Sequence, residues 1–117
     1  MRALLLLLLA ACAPAVTTTT LTDVGTACLG DDGEITVDFD TCLSSSCDTL
    51  VSATCTATLD GTTLTITDEA VIDSQGKECT ADCGLVTTTC TAAGLTDPTG
   101  ITVQIGDQSA ALEACGG

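Results

Sequence analysis

The sequence predicts a small all-β protein, an antiparallel β-sandwich held together by disulfide bonds. Three observations predict it. Threonine, valine and isoleucine, whose branched Cβ favours strands, are common, whereas aromatic residues make up 1% of the chain. Several segments alternate between apolar and polar residues. Nine cysteines occur among 117 residues, a length that allows one domain with a modest core.

Four segments carry the alternation expected of a strand with one buried face. They are residues 34–39 (EITVDF), 51–59 (VSATCTATL), 63–67 (TLTIT) and 100–105 (GITVQI). Asp60-Gly61 predicts a type I′ hairpin turn between two of them, and Gly106-Asp107 predicts a type II′ turn before a last strand in 108–114. Six or seven short strands at this spacing favour a sandwich.

An internal repeat supports a two-halved domain. Residues 42–61 (CLSSSCDTLVSATCTATLDG) align with residues 79–97 (CTADCGLVTTTCTAAGLTD), and the three cysteines of one copy match those of the other. Two copies are too few for a solenoid, so the repeat indicates two halves of one sandwich.

The segment from Leu95 to Ala114 resembles the last two strands of immunoglobulin-like (Ig-like) modules of bacterial surface proteins. The resemblance implies an Ig-like sandwich. The tryptophan and tyrosine landmarks of true immunoglobulin domains are missing from this sequence.

The first residues have the composition of an export signal. Arg2 supplies a positive charge, and Ala3 to Ala11 form an apolar run of nine residues. This run is far shorter than the roughly 20 residues that span a bilayer, and it fits the apolar region of a signal peptide over residues 1–11.

Leu9-Ala10-Ala11-Cys12 resembles the lipobox of bacterial lipoproteins. The resemblance implies cleavage before Cys12, a lipid on the Cys12 thiol, and anchoring in a membrane of the bacterial envelope, in the outer membrane or at the surface. A second cleavage site competes with it. Ala13-Pro14-Ala15 has the A-x-A pattern of ordinary signal peptidase sites, and cleavage there would release a soluble extracellular protein that begins at Val16.

The segment that follows Cys12 shows no core periodicity. Residues 12–27 contain the low-complexity run Thr17 to Thr20, so we expect a flexible, lipid-anchored tether there and a cysteine-rich domain over residues 28–117.

The number of cysteines separates Cys12 from the others. The remaining set is even and predicts four disulfides in an exported chain: Cys28, Cys42, Cys47, Cys55, Cys79, Cys83, Cys90 and Cys115. Eight cysteines allow 105 pairings. The repeat suggests one symmetric solution, with local bridges Cys42–Cys47 and Cys79–Cys83, a core bridge Cys55–Cys90, and Cys28–Cys115 joining the ends.

Charge and missing residue types exclude several functions. The formal net charge is −14, there is no histidine, and only Arg2 and Lys77 are basic, so nucleic acid and anionic lipid headgroups are poor partners. No nucleotide-binding or hydrolase motif occurs, and we expect neither an enzyme nor a cofactor. Asp31, Asp32 and Glu34 surround a turn glycine and form a weak candidate for a calcium site.

The sequence therefore favours a non-enzymatic lipoprotein of the cell envelope. Its role would be structural or binding, through an unidentified protein or cationic partner and a membrane contact at Cys12. A soluble secreted cysteine-rich inhibitor or effector, and a calcium-binding surface module, are the alternatives.

Overall fold

A computed structural model describes residues 15–116, which form an all-β structure of two packed sheets. Within these residues the chain makes nine strands: β1 (Val16–Thr22), β2 (Thr26–Leu29), β3 (Ile35–Leu43), β4 (Asp48–Asp60), β5 (Thr63–Gln75), β6 (Gly84–Cys90), β7 (Thr102–Ile105), β8 (Gln108–Ala111) and β9 (Glu113–Ala114). The predicted disulfide-stapled β-sandwich is confirmed.

The long strand β5 organises the first sheet. β4 pairs with one side of β5, while β1 and β7 share the other side, and β8 lies outside β7. The second sheet has the order β6-β3-β2-β9. Because β7 runs parallel to β5 and β9 runs parallel to β2, both sheets are mixed, not purely antiparallel as the sequence predicted.

The core lies between the sheets and is built from the predicted apolar faces. Ile35, Val37 and Phe39 of β3 are buried, as are the inward residues of β5 and β7. The apolar face of β4 is only partly buried, since β4 is an edge strand with small side chains such as Ala53 and Ala57. One phenylalanine and no tryptophan or tyrosine leave this core with little aromatic area to bury.

The predicted tether is wrong from Val16 onwards. Residues 16–22 form strand β1, which pairs with residues 69–75 of β5, and β2 begins at Thr26. Thr18 Oγ1 donates a hydrogen bond to Asp73 Oδ1 at 2.6 Å. The strand is almost entirely exposed, so its threonines show no apolar alternation, although their branched side chains suit a strand.

Both hairpin positions were predicted, but one turn type was wrong. Asp60 pairs with Thr63, so the turn consists of Gly61 and Thr62, and only Gly61 has a positive φ. That pattern is type II′, not the type I′ predicted from Asp60-Gly61. The turn at Gly106-Asp107 has a positive φ at Gly106 alone and confirms the predicted type II′.

Four disulfides are formed, and two of the predicted pairs are correct. Cys28–Cys115 joins β2 to the end of the chain, and Cys55–Cys90 joins β4 to β6 across the two sheets. Thr88 Oγ1, which donates to the Ala53 carbonyl oxygen at 3.1 Å, adds a second link between β4 and β6.

The local pairs Cys42–Cys47 and Cys79–Cys83 are wrong. The bridges are Cys42–Cys83 and Cys47–Cys79, with Cα–Cα distances of 4.7 and 5.5 Å. Strand pairing dictates this result. β3 pairs with β6 so that Cys42 lies opposite Leu85, which places Cys83 beside it. The Gln75 amide donates to the Cys47 carbonyl oxygen, which brings the segment after β5 to Cys47.

Candidate binding groove

The three acidic residues of the predicted calcium site lie in an exposed turn between β2 and β3. Asp32 Oδ1 accepts a hydrogen bond from the Glu34 amide at 3.0 Å, and this bond lowers the pKa of Asp32. The Gly33 amide closes the turn onto the Gly30 carbonyl oxygen. Asp32 thus stabilises the turn itself, and residues 15–116 contain no group of three acidic, histidine or cysteine side chains positioned to hold a metal ion.

The lipidation site predicted at Cys12 lies outside the described residues. All eight of the other cysteines are described, and each takes part in one of the four disulfides. The structure therefore leaves no free thiol between residues 15 and 116.

One end of the sandwich, which we call the disulfide-linked tip, consists of the β3–β4 turn and the segment before β6, joined by Cys42–Cys83 and Cys47–Cys79. It carries a network of hydroxyl groups. Thr80 Oγ1 donates a short hydrogen bond to Asp82, and the Ser45 amide also donates to Asp82. These two residues lower the pKa of Asp82, Thr80 more strongly. The network joins the β3–β4 turn to the segment before β6 through the Thr80 amide, which donates to Ser46 Oγ at 2.9 Å. The polar groups of this network bond to one another, and they join the two segments of the tip in addition to the disulfides.

A buried acid lies on β5 at the point where both β1 and β7 end. Asp68, 4% exposed, is on the inward face of β5, and its Oδ1 accepts a hydrogen bond from the Val24 amide at 3.0 Å. Asp23 completes the junction: its amide donates to the Asp68 carbonyl oxygen, and its Oδ1 accepts from the Asp68 amide. The two aspartates satisfy backbone groups that no strand reaches as the chain crosses from one sheet to the other.

Burial, and to a smaller degree the nearby Asp23 carboxylate, raise the pKa of Asp68 above its ordinary value of 3.8, against the lowering effect of the Val24 amide. Asp68 Oδ2 has no hydrogen-bond partner. The folded state therefore binds the proton of Asp68 more tightly than the unfolded state does. Below pH 3.8 both states are protonated, and the free energy of unfolding falls as the pH rises from there through the raised pKa.

Asp68→Asn is expected to become stabilising relative to the native protein as the pH rises. The amide oxygen can still accept from the Val24 amide, while the buried charge is removed. Urea unfolding of both proteins at pH 3 and pH 7 measures the change. Asp23 and Glu69, the acidic neighbours around this position, are present in both proteins. A difference between the two proteins that is the same at both pH values would contradict the prediction.

A groove of about 430 Å³ lies between β8 and β2, and we call it the β8 groove. Small side chains form its walls, and they come from both sheets: Gly25, Thr26 and Ala27 on one side, Val103 and Ile105 at the base, and Gln108, Ser109, Ala110, Ala111 and Glu113 along the rim.

The groove exists because β8 has no cover. Ala110 pairs with Val103, and Gln108 pairs with Ile105, so both β8 residues point to the side of the sheet on which Val103 and Ile105 are buried. Ala110 and Gln108 are nevertheless exposed. The second sheet ends at β9, which has only two residues, and it does not extend over β8.

Contacts with the rest of the fold fix the chain at both ends of β8. Beyond β8 the chain crosses between the sheets at Leu112, which is buried, and the Leu112 amide donates to the Ile101 carbonyl oxygen. The Cys28–Cys115 bridge and the parallel pairing of β9 with β2 then hold Glu113 in place. At the other end, the Gly106 turn packs on Asp23 so closely that a Cβ at Gly106 would lie 2.7 Å from the Asp23 carbonyl oxygen.

The outer edge of β8 is a free strand edge. Hydrogen-bonded and non-hydrogen-bonded pairs alternate along an antiparallel ladder, and the bond from the Leu112 amide to Ile101 fixes the phase. Ala110 and Gln108 therefore bond to β7, while Ser109 and Ala111 direct their N–H and C=O groups away from the sheet. In residues 15–116 no backbone partner occupies this edge.

Sequence reasoning placed a strand after Gly106-Asp107 but missed the groove. Whether a strand lies at an edge depends on sheet order, which local alternation does not encode. The one available signal was the run Ser109-Ala110-Ala111, because side chains this small cannot cover the inner face of a sheet.

No helix in the described part of the chain is long and apolar enough to cross a membrane. No protein-family model matches this chain, and neither the curated proteins nor the solved structures include one that is significantly similar to it.

Proposed function

We propose that this protein is an exported, lipid-anchored binding protein of the bacterial cell envelope, without catalytic activity. One observation carries the proposal: every cysteine from Cys28 to Cys115 is used in a disulfide, so none of these eight is available to pair with Cys12. Four disulfides fit an oxidising compartment outside the cytoplasm. A cysteine without a partner among these eight, at the end of an apolar run, fits a lipid attachment site.

The position of Ala15 favours processing at Cys12 over processing after Ala15. The Gly76 amide donates a hydrogen bond to the Ala15 carbonyl oxygen at 3.0 Å, so Ala15 belongs to the folded structure. Cleavage after Ala15 would remove this acceptor, whereas cleavage before Cys12 keeps it. The soluble secreted form remains the second candidate, because strand β1 begins at Val16 and would stay intact.

The anchor would be short. Three residues separate Cys12 from β1, a reach of about 10 Å when fully extended. The first residue of β1 pairs with Gln75, next to the disulfide-linked tip. A lipid on Cys12 would therefore place this tip toward the bilayer and leave the β8 groove to face away from it, since β1 leads from Val16 to the crossover at Asp23.

A binding role is favoured over catalysis by the residues of the groove. Its walls are backbone, aliphatic groups, hydroxyls and the Gln108 amide, and Glu113 is the one titratable side chain that lines it. The chain has no histidine to serve as a general base near neutral pH. A surface of this composition offers shape and hydrogen bonds to a partner.

Cys12→Ser is expected to convert the protein from a membrane-associated to a soluble form. In a bacterial host that processes lipoproteins, the native protein should partition into the detergent phase and carry a diacyl or triacyl mass at Cys12 by intact mass spectrometry. The variant should carry neither and should remain in the aqueous phase, because serine cannot form the thioether.

Ala15→Leu is the matched control, since it disrupts the competing A-x-A site and leaves Cys12 unchanged. It should not alter the lipidated mass. An unlipidated native protein whose N-terminus is Val16, and whose release is blocked in Ala15→Leu, would contradict lipid anchoring and establish the secreted form.

A further inference from the structure

We propose that the β8 groove binds an extended, positively charged polypeptide segment, which adds to β8 as a further strand of the first sheet. The inference deepens the binding role proposed above and rests on it, but it does not require a lipid on Cys12. Three observations carry it: the free backbone edge of β8, the uncovered groove beside that edge, and the charge of the surface.

The backbone edge supplies the affinity of such an interaction. Ser109 and Ala111 each offer one N–H and one C=O group to a neighbouring strand, and Gln108–Ala111 are all exposed. Strand addition at an open edge uses these groups regardless of the partner's sequence. The edges of β4 and β6 differ, because these two strands are tied to each other by Cys55–Cys90 and by the Thr88 hydroxyl. The edge of β1 is also open, but its side chains are mainly threonines.

The groove supplies the preference for side chains. A strand added to β8 would direct every second side chain toward Ala110, Ala27 and Gly25, into a space of about 430 Å³. That space accepts small or branched apolar side chains. Paired strands have about the same rise, roughly 3.3 Å per residue. The four residues of β8 therefore pair with about four residues of a partner strand.

Charge decides which partner fits. Sixteen acidic side chains lie in the described part of the chain, and Lys77 is its one basic residue. Asp107 precedes β8 and the exposed Glu113 follows it, so an acidic residue stands at each end of the edge. A second copy of this chain would bring the same negative charges together, whereas a basic segment would neutralise them. Basic residues at both ends of a short apolar stretch match this arrangement.

The test uses the exported protein with all four disulfides formed and the acetylated, amidated peptide Lys-Val-Ala-Val-Ala-Lys as the probe. We expect binding by isothermal titration calorimetry that weakens with salt, because the charges are exposed. Two control peptides separate the causes. Glutamate in place of both lysines should abolish binding, and N-methylation of alternate backbone amides, which keeps the charge, should abolish it as well.

Ser109→Pro is the decisive variant, and Ser109→Ala is its matched control. Proline removes an N–H group that points away from the sheet, so the ladder to β7 stays complete, and proline is tolerated on such an edge. We expect about a tenfold loss of affinity in Ser109→Pro and none in Ser109→Ala. Glu113→Gln should weaken binding and reduce its salt dependence.

Hydrogen exchange of the native protein gives a readout that needs no variant. Addition of the peptide should slow exchange at Ser109 and Ala111, whereas the Ala110 amide, already bonded to β7, should change least. Equal binding of the N-methylated peptide, unchanged affinity in a folded Ser109→Pro protein, or a concentration-dependent dimer that Ser109→Pro dissociates would each overturn the proposal. The lipidated mass at Cys12 is independent of these results, so failure of peptide binding and failure of lipid anchoring can be told apart.

Discussion

Full reduction of the four disulfides is expected to unfold the domain. Each bridge contributes about 2–4 kcal/mol to the free energy of unfolding, mainly because it restricts the unfolded chain, so four together contribute about 8 kcal/mol or more. That is as large as the whole stability of many domains, about 5–15 kcal/mol. The core of this protein, which has one phenylalanine as its only aromatic residue, does not offset such a loss.

Far-UV circular dichroism with and without excess reductant measures this effect, and native-like spectra of the reduced protein would contradict it. Double alanine variants resolve the individual bridges. Cys55→Ala with Cys90→Ala should destabilise more than Cys47→Ala with Cys79→Ala, since the first pair joins the two sheets beside the core and the second lies at the tip. Their sequence separations, 35 and 32 residues, are nearly equal, so loop entropy alone predicts no difference.

Gly25→Ala is expected to destabilise the domain by about 3–5 kcal/mol. Gly25 lies where the chain crosses from β1 in the first sheet to β2 in the second, and its φ is +108°. A Cβ there would lie 2.2 Å from the Asp38 carbonyl oxygen, so backbone must move in addition to the strain of a positive φ. Chemical denaturation of the oxidised protein measures the change.

Gly33→Ala is the matched control because its φ of +82° imposes the strain without the collision, there being nothing within 4 Å of an added Cβ. It should lower the free energy of unfolding by about 1–2 kcal/mol. Equal effects of the two substitutions would mean that the close approach of Gly25 to β3 contributes nothing, contrary to the structure.

Alternation predicted the buried strands because their side chains are large enough to mark a face. Ile35, Val37 and Phe39 on β3 show this, and so do Val103 and Ile105 on β7. Strand β1 gave no such signal: its threonines are exposed, and its place in the sheet comes from pairing with β5. A polar edge strand and a polar linker therefore have the same composition, and the sequence could not separate them.

The repeat limited the disulfide pairing without fixing it. Exchange of the two copies maps Cys42 onto Cys79 and Cys47 onto Cys83. The predicted local bridges obey this exchange, but so do Cys42–Cys83 and Cys47–Cys79, the bridges that form. Symmetry was thus the right premise, and the choice between two symmetric solutions depended on contacts between residues distant in sequence, those of β3 with β6 and of Cys47 with Gln75. The β8 groove depends on sheet order in the same way.

The Cys28–Cys115 bridge spans 87 residues and encloses the other three bridges. A protease that cuts the backbone once, anywhere between these two cysteines, therefore produces two fragments that remain covalently joined. Cleavage in an exposed loop would leave both walls of the β8 groove attached to the N-terminal segment. In the lipid-anchored form proposed above, this covalent closure would keep a nicked protein from being shed.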